Sequence, residues 1–455
     1  MISNRHIMLF AGVMLCLMAL PSVTIQSKVK ISNTLLYYVC AYSIISVSLY
    51  SLIRNKLYKE PVYICIFIYL IWAVICIVRG VFMIKTYWVM NQFIRGTMYT
   101  LVPISVFLFA KPTNCIVTLR LLNRFLPVMA LLLFGWALPL SAYPYFLCPF
   151  FIVYICFFDA MSTEWKWITI MVFIAIALAL DNRSGLLKEM FTLMVFIASM
   201  FPVIIRNIAF NAMHWIPYAI AITLLTLGLT GNYNIFDPTM NDISRYVTVT
   251  YNTISDDKED DDYTQDTRTF IYVESITSAF DNDHLWTGRT PARGYSSPHF
   301  FYLDGKAEGA TGIDDDERFA SEVGHVNIFI WDGIIGVILV TIMYLFGSFI
   351  ALYHSRNIYI KMMGIILAFH WAFGWIENPY MFQILDMTLF FLMALCYSPE
   401  FRQMSDTEFR LFIQDIFAKP SDISKLELLK LVRLDLTMRA MLKRNSVIKK
   451  PIIGN

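Results

Sequence analysis

The sequence predicts an all-α polytopic membrane protein, with about twelve transmembrane helices and one long outward-facing loop that contains a helix of its own. Three observations carry this. The 455 residues are 58% hydrophobic, 16% aromatic and only 15% charged, whereas soluble domains carry roughly 25% charged residues. Runs of roughly 20 apolar residues recur, each long enough as helix to cross a hydrocarbon core of about 30 Å. The runs are solid rather than alternating, as residues 168–180 illustrate, which argues against the short alternating strands of a β-barrel.

Taken in order, spans are expected at 7–25, 33–53, 60–83, 88–110, 124–141, 143–161, 165–181, 184–205, 211–231, 325–353, 358–376 and 379–397. The first follows a single Arg5 and ends without a small-residue cleavage site, so it reads as a span and not as a signal peptide. One set of short loops carries Arg5, Arg54, Lys56, Lys59, Lys111, Arg120, Arg124, Lys166, Arg206, Arg356 and Lys361; the other carries Lys28, Lys30, Arg79, Lys85, Arg183 and Lys188. The positive-inside rule then puts both termini in the cytoplasm. Residues 1–231 form spans one to nine, 232–324 the outward loop, 325–397 the last three spans, and 398–455 a basic cytoplasmic tail. In that tail Ser424-x-x-Glu427 has the form of a capping box opening a Leu-rich basic helix through Arg444. Such a helix would lie on the anionic inner leaflet or fold as a small cytosolic hairpin.

The loop holds 19 acidic and 7 basic residues and no cysteine. Its runs at 256–262 and 314–317 read as solvated chain, with calcium binding as the alternative. Residues 267–280 place Phe270, Val273, Ile276, Thr277 and Phe280 near helical spacing, which predicts a helix packed on the membrane domain. The tenth span is too long. Residues 322–353 as one straight helix would reach about 48 Å, so this segment must tilt, stand above the bilayer or break near Gly333.

The charge balance excludes the bulk basicity of a nucleic-acid binder. All eight cysteines lie in or beside apolar runs, and no CxxC pattern suggests a disulfide framework or a metal. Three residues stand out for chemistry, and the topology puts all of them at the outer face: Arg183 in Asp181-Asn182-Arg183-Ser184-Gly185, Arg268 at the start of the loop helix, and His325 where the loop enters the tenth span. An arginine fork matches phosphate oxygens bidentately, and two of them would hold a pyrophosphate as it leaves. A histidine titrates near working pH and can accept the proton of an attacking hydroxyl. Glu322, three residues before His325, would share a helical face with it and orient the ring. The bland readings are an interfacial arginine that fixes topology, a surface arginine, and a satisfied histidine at a helix end.

These residues sit in a wider pattern. Arg268-Thr269-Phe270-Ile271-Tyr272, then Leu285-Trp286-Thr287-Gly288, then Gly324-His325-Val326-Asn327 and Gly333-Ile334-Ile335-Gly336, with Asn182-Arg183-Ser184-Gly185 two spans before the loop, resemble the O-antigen ligase and O-antigen (capsular polysaccharide) polymerase superfamily over roughly residues 165–397. The resemblance implies a GT-C-like fold and a metal-independent, inverting glycosyltransferase without a cofactor. Its donor would be an undecaprenyl-pyrophosphate-linked glycan, and its acceptor a glycan or lipid core, at the periplasmic face of a bacterial inner membrane. The family's His-Asn pair is here His325-Val326-Asn327, one residue longer, which puts the role of Asn327 in question.

Lesser candidates surround these. Asp281-Asn282-Asp283-His284 has the look of a metal-binding DxD, but on the wrong side of the membrane for nucleotide-sugar donors. Arg79, Lys85 and Arg95 would either contact phosphate or snorkel to headgroups. His370, Glu377 and Asp386 fall in or beside the last two spans, where ionisable groups are costly; Glu377, at the outer boundary, is the best placed. Gly288 and Gly294 read as turn formers. The competing function is a transporter or flippase for lipid-linked sugar, which would show repeated halves and broken helices; no repeat is evident.

Overall fold

The computed structural model describes residues 4–24, 34–134, 143–178, 183–230, 269–298 and 317–418. They are mostly helical: α1 Asn4–Thr24, α2 Thr34–Arg54, α3 Ile64–Val81, α4 Tyr87–Thr100, α5 Val106–Phe109, α6 Pro112–Phe134, α7 Tyr143–Phe157, α8 Thr163–Leu178, α9 Arg183–Ser199, α10 Val203–Leu229, α11 Thr269–Asp281, α12 Gly324–Tyr353, α13 Ile358–Phe373, α14 Ile384–Tyr397, α15 Pro399–Gln403 and α16 Asp406–Phe417. Each expected span overlaps a helix, that at 124–141 only over the end of α6, beyond which 135–142 lie outside the described residues; among the described residues four helices are long and apolar enough to cross a membrane: Leu35–Arg54, Pro61–Val81, Val203–Gly228 and Gly324–Tyr353. A fifth is the bent pair Tyr87–Thr100 and Val102–Phe109, with an angle of 45° between its halves. Pro103, in the short 3-10 turn between them, has no N–H for the ladder, which is why the helix bends there.

Helix α12 is the hub. It packs along α13 and against α3 and α14, while α13 also meets α9 and α10. The faces turned away from this core stay apolar. Ile64, Ile68, Ile71, Val78 and Val81 on α3 and Val203, Ile204, Ile208 and Ile220 on α10 are exposed, as lipid-facing side chains would be.

The opposite end of the bundle from the α12 N-terminus is tied by polar contacts. Asn357 caps α13 by accepting from the Ile360 N–H at 2.9 Å, and its Nδ2 donates to the Phe401 and Met404 carbonyls. The capping box falls at Ser405 and Glu408, opening α16; the one expected at Ser424 lies outside the described residues. Helix α16 lays Phe409, Phe412, Ile413 and Ile416 inward and packs on α6, where Asp415 pairs with Arg120.

The loop helix forms at Thr269–Asp281, close to expectation, but turns a different face inward. Its buried residues are Ile271, Ser275, Ser278 and Ala279, whereas Val273 and Phe280 are exposed. Small side chains let the helix lie close on its neighbours, and that proximity decides which face is covered. Tyr295–Ser296 and Glu317–Arg318 then pair as a two-stranded antiparallel ladder, β1 and β2, with Tyr295 opposite Arg318.

Candidate active site

The expected break in the tenth span is present. Gly333 adopts φ 71°, ψ −171°, a conformation open to glycine alone, in the middle of α12. From Ile334 to Tyr353 the helix then has about the length of a bilayer core. A break frees backbone groups, and the chain at 285–290 satisfies them. The Arg289 and Thr290 N–H groups donate to the Ile330 and Trp331 carbonyls at 2.7 and 3.1 Å. In return the Ile334 N–H donates to the Leu285 carbonyl at 3.0 Å. The loop is thus plugged into the broken helix by its own main chain.

Two side chains from α3 hold the plug. Arg79 donates to the Thr287 carbonyl at 2.8 Å and to the Gly288 carbonyl at 3.3 Å, and the Trp72 indole N–H donates to the Asp332 carbonyl at 2.9 Å. Arg79, a candidate phosphate contact by sequence, is therefore engaged as a clamp on the loop. Asp332, fully buried beside the break, accepts from Tyr69 at 3.4 Å through one oxygen. It escaped the sequence reading, although a carboxylate inside an apolar run is itself a signal.

Glu317 organises the loop's far side. It is buried and takes a bidentate contact from Arg293 at 2.5 and 2.9 Å, together with the Gly294 N–H at 2.6 Å. The acidic run to which it belongs was expected to be solvated chain; its last member is an internal anchor instead. The rest of that run, at 314–316, lies outside the described residues, as does the run at 256–262. Among the described residues no group of three or more His, Cys, Asp or Glu side chains is placed to hold a metal ion, and Asp281, Asp283 and His284 form no such set.

His325 sits at the first turn of α12 with no exposed surface. Its Nε2 lies 2.8 Å from the Trp371 carbonyl and its Nδ1 3.2 Å from the Tyr380 hydroxyl. A carbonyl only accepts, so Nε2 carries the proton and Nδ1 receives the tyrosine's. The Trp375 ring lies tilted against it with centroids 4.6 Å apart, and Tyr272 of the loop helix donates to the Trp375 carbonyl.

The expected partnership of Glu322 with His325 is not what the structure holds. Glu322 precedes α12 rather than sharing its face. Its side chain is 60% exposed and pairs with Arg318 at 2.7 Å. Asn327 is buried and bonded three times to Ser321, accepting from its N–H at 2.7 Å and its hydroxyl at 3.0 Å and donating to its carbonyl at 2.8 Å. The Asn therefore pins the exit of the loop onto α12, a structural use of the displaced His-Val-Asn spacing.

Beside His325 opens a narrow cleft lined by Lys188, His370, Phe373, Gly374, Glu377, Asn378, Pro379, Asp386 and Leu389. Gly374 forms the wall between them: a β-carbon there would stand 2.7 Å from the His325 Nε2. Lys188, 5% exposed, forms an ion pair with Glu377 and lies 5.0 Å from the centre of the Phe373 ring. Asp386 accepts from the Met381 N–H at 3.0 Å, and the His370 Nδ1 lies 2.9 Å from the Ile366 carbonyl. The three ionisable groups singled out near the last two spans thus share one cleft. Lys188 joins them from α9, and sequence reasoning had used it only as a topology marker.

Arg183 is the first residue of α9, five positions before Lys188 and so about 7.5 Å from it along the axis. Arg268 lies outside the described residues; Tyr272, one turn on from it, is the residue bonded to Trp375. No protein-family model and no curated protein matches this chain.

Proposed function

We propose that the chain is a membrane glycosyltransferase that moves a glycan from an undecaprenyl-pyrophosphate carrier to an acceptor hydroxyl, as an O-antigen or capsule polymerase or ligase. The observation that carries the reading is the cleft. It lies at the end of the bundle where α9 begins with Arg183, where the loop helix begins just after Arg268, and where His325 closes the back wall. A polar cleft with a buried cation at one end of an apolar bundle suits a substrate with a charged head and an apolar tail. In this reading the helices form a twelve-span GT-C-like bundle in a bacterial inner membrane. Both termini are cytoplasmic and the cleft is periplasmic. Arg183 and Arg268 hold the pyrophosphate, and no cofactor takes part.

The test is complementation in the native host, with surface polysaccharide read on gels. Arg183→Ala, Arg268→Ala and His325→Ala are each compared with wild type at matched expression, and loss of polysaccharide is expected from each. Normal polysaccharide from all three would sink the assignment. A ladder reduced to single attached repeats marks a polymerase; long polymer left on the carrier marks a ligase.

One observation favours a second reading, a flippase for lipid-linked oligosaccharide without transferase chemistry. Helix α12 is broken at Gly333 beside the buried Asp332, and broken helices with buried ionisable groups are transporter features. Transport of labelled lipid-linked sugar across vesicles, with no new glycosidic bond, would select it.

A further inference from the structure

We infer that Glu377, rather than His325, takes the proton of the attacking hydroxyl, which meets it at the mouth of the cleft. This rests on the glycosyl-transfer reading above. His325 cannot reach a substrate: it has no exposed surface, its Nε2 proton is committed to the Trp371 carbonyl, and its Nδ1 faces the Tyr380 hydroxyl. Gly374 stands between the ring and the cleft.

Glu377 is placed differently. Its side chain is 27% exposed and lines the cleft, where Lys188 pairs with its Oε2. Beside it the Asn378 Nδ2 is buried, with no hydrogen-bond partner among the described residues, while the Oδ1 of the same amide accepts from the Tyr380 N–H at 3.1 Å. A carboxylate acceptor next to an unused amide donor is the complement of a hydroxyl, which donates and accepts at once. The other ionisable groups facing the cleft are buried or already paired. Asp386 and His370 are buried, at 4% and 8% exposed, and Lys188 is bound to Glu377 itself.

The step balances. The acceptor oxygen forms a bond to the anomeric carbon of the donor, and the bond from that carbon to the pyrophosphate oxygen breaks with its electron pair going to the phosphate. The hydroxyl proton passes to the Glu377 carboxylate and leaves later to water. As Glu377 is neutralised, the Lys188 charge loses its partner at the moment when negative charge builds on the leaving pyrophosphate. His325 is a positioning residue, holding the wall formed by Gly374 and Trp375.

The test uses the full chain in lipid nanodiscs, a synthetic polyprenyl-pyrophosphate-linked sugar as donor and a free saccharide as acceptor. Glu377→Gln should lower kcat by roughly 10²–10⁴-fold while leaving donor binding and the acceptor KM within about threefold, a margin small beside a tenfold step. Glu377→Asp should recover part of the loss. His325→Gln should lower the rate and keep the acid limb of the pH–rate profile, which Glu377→Gln should abolish. Because Glu377→Gln leaves Lys188 without its anion, the double variant Lys188→Met/Glu377→Gln serves as a second arm, with donor binding as the check on folding. Near-wild-type kcat in Glu377→Gln, or an acid limb that disappears with His325 instead, overturns the inference and leaves the transferase reading standing. A wild-type chain that binds the donor and forms no glycosidic bond overturns both.

Discussion

Gly288 and Gly333 lie back to back across the break in α12. A β-carbon on Gly288 would overlap the Trp331 carbonyl, and one on Gly333 would overlap the Trp286 carbonyl. Both have φ near +70°, and each allows the other's strand to approach. Gly333→Ala should therefore undock the loop, costing on the order of 3 kcal/mol from backbone conformation and overlap together. A cysteine at Thr290, which is buried in the intact protein, should become reactive to a membrane-impermeant thiol reagent in Gly333→Ala and stay protected otherwise. Protection in both backgrounds would show that the glycines are not what docks the loop.

Arg79 fastens the same loop with two hydrogen bonds from a charged donor. Arg79→Met should lower stability by about 3 kcal/mol, seen as a drop in Tm in detergent. Arg79→Lys should recover less than half, since an ammonium does not present two donors in one plane. A lysine that restores full stability would show that charge alone matters here.

Glu317 is a buried anion serving Arg293 and the Gly294 N–H. Glu317→Gln weakens charge-assisted hydrogen bonds to a partly exposed arginine, so it should destabilise the loop by about 1–3 kcal/mol. Faster proteolysis of the loop with the membrane helices still protected is the readout. Unchanged proteolysis would remove Glu317 as the anchor.

His284 has its pKa pushed down, first by burial and then by the nearby charges of Arg289 and Arg79. Its protonated form is therefore less stable in the docked loop than in the unfolded chain. The stability this contributes is complete above the ordinary histidine value of about 6.5 and is lost as pH falls below it. Protection factors at the Gly288 and Arg289 amides, which correct for the slower intrinsic exchange at low pH, should fall below that pH in wild type, and His284→Gln should flatten the dependence. An equal fall in both would assign the effect to another group.

Much of the fold was legible in local pattern. The apolar runs mark most of the helices, though not α15 or α16, the excess length of 322–353 calls for a tilt, a rise above the bilayer or the break found at Gly333, and the spacing in 267–280 calls for the loop helix. The site was legible only in part. Glu377, His370 and Asp386 could be picked out because charge in an apolar run is conspicuous. The same rule applied to Lys188 and Asp332 would have found them too. Glu322 was misassigned because i, i+3 spacing orients a pair only within a helix, and α12 begins at Gly324, after Glu322.

By itself, then, the sequence determined where the chain is apolar, where most helices run and that one segment is too long to cross as a straight helix, because these depend on side-chain hydropathy and backbone geometry within a few residues. Tertiary structure alone decided which partners meet: Lys188 with Glu377, Arg79 with the carbonyls at 287 and 288, and His325 with Trp371 and Tyr380. Those pairs are 46 to 209 residues apart. No local spacing encodes such meetings; they follow from how helices pack once each buried polar group must find a partner.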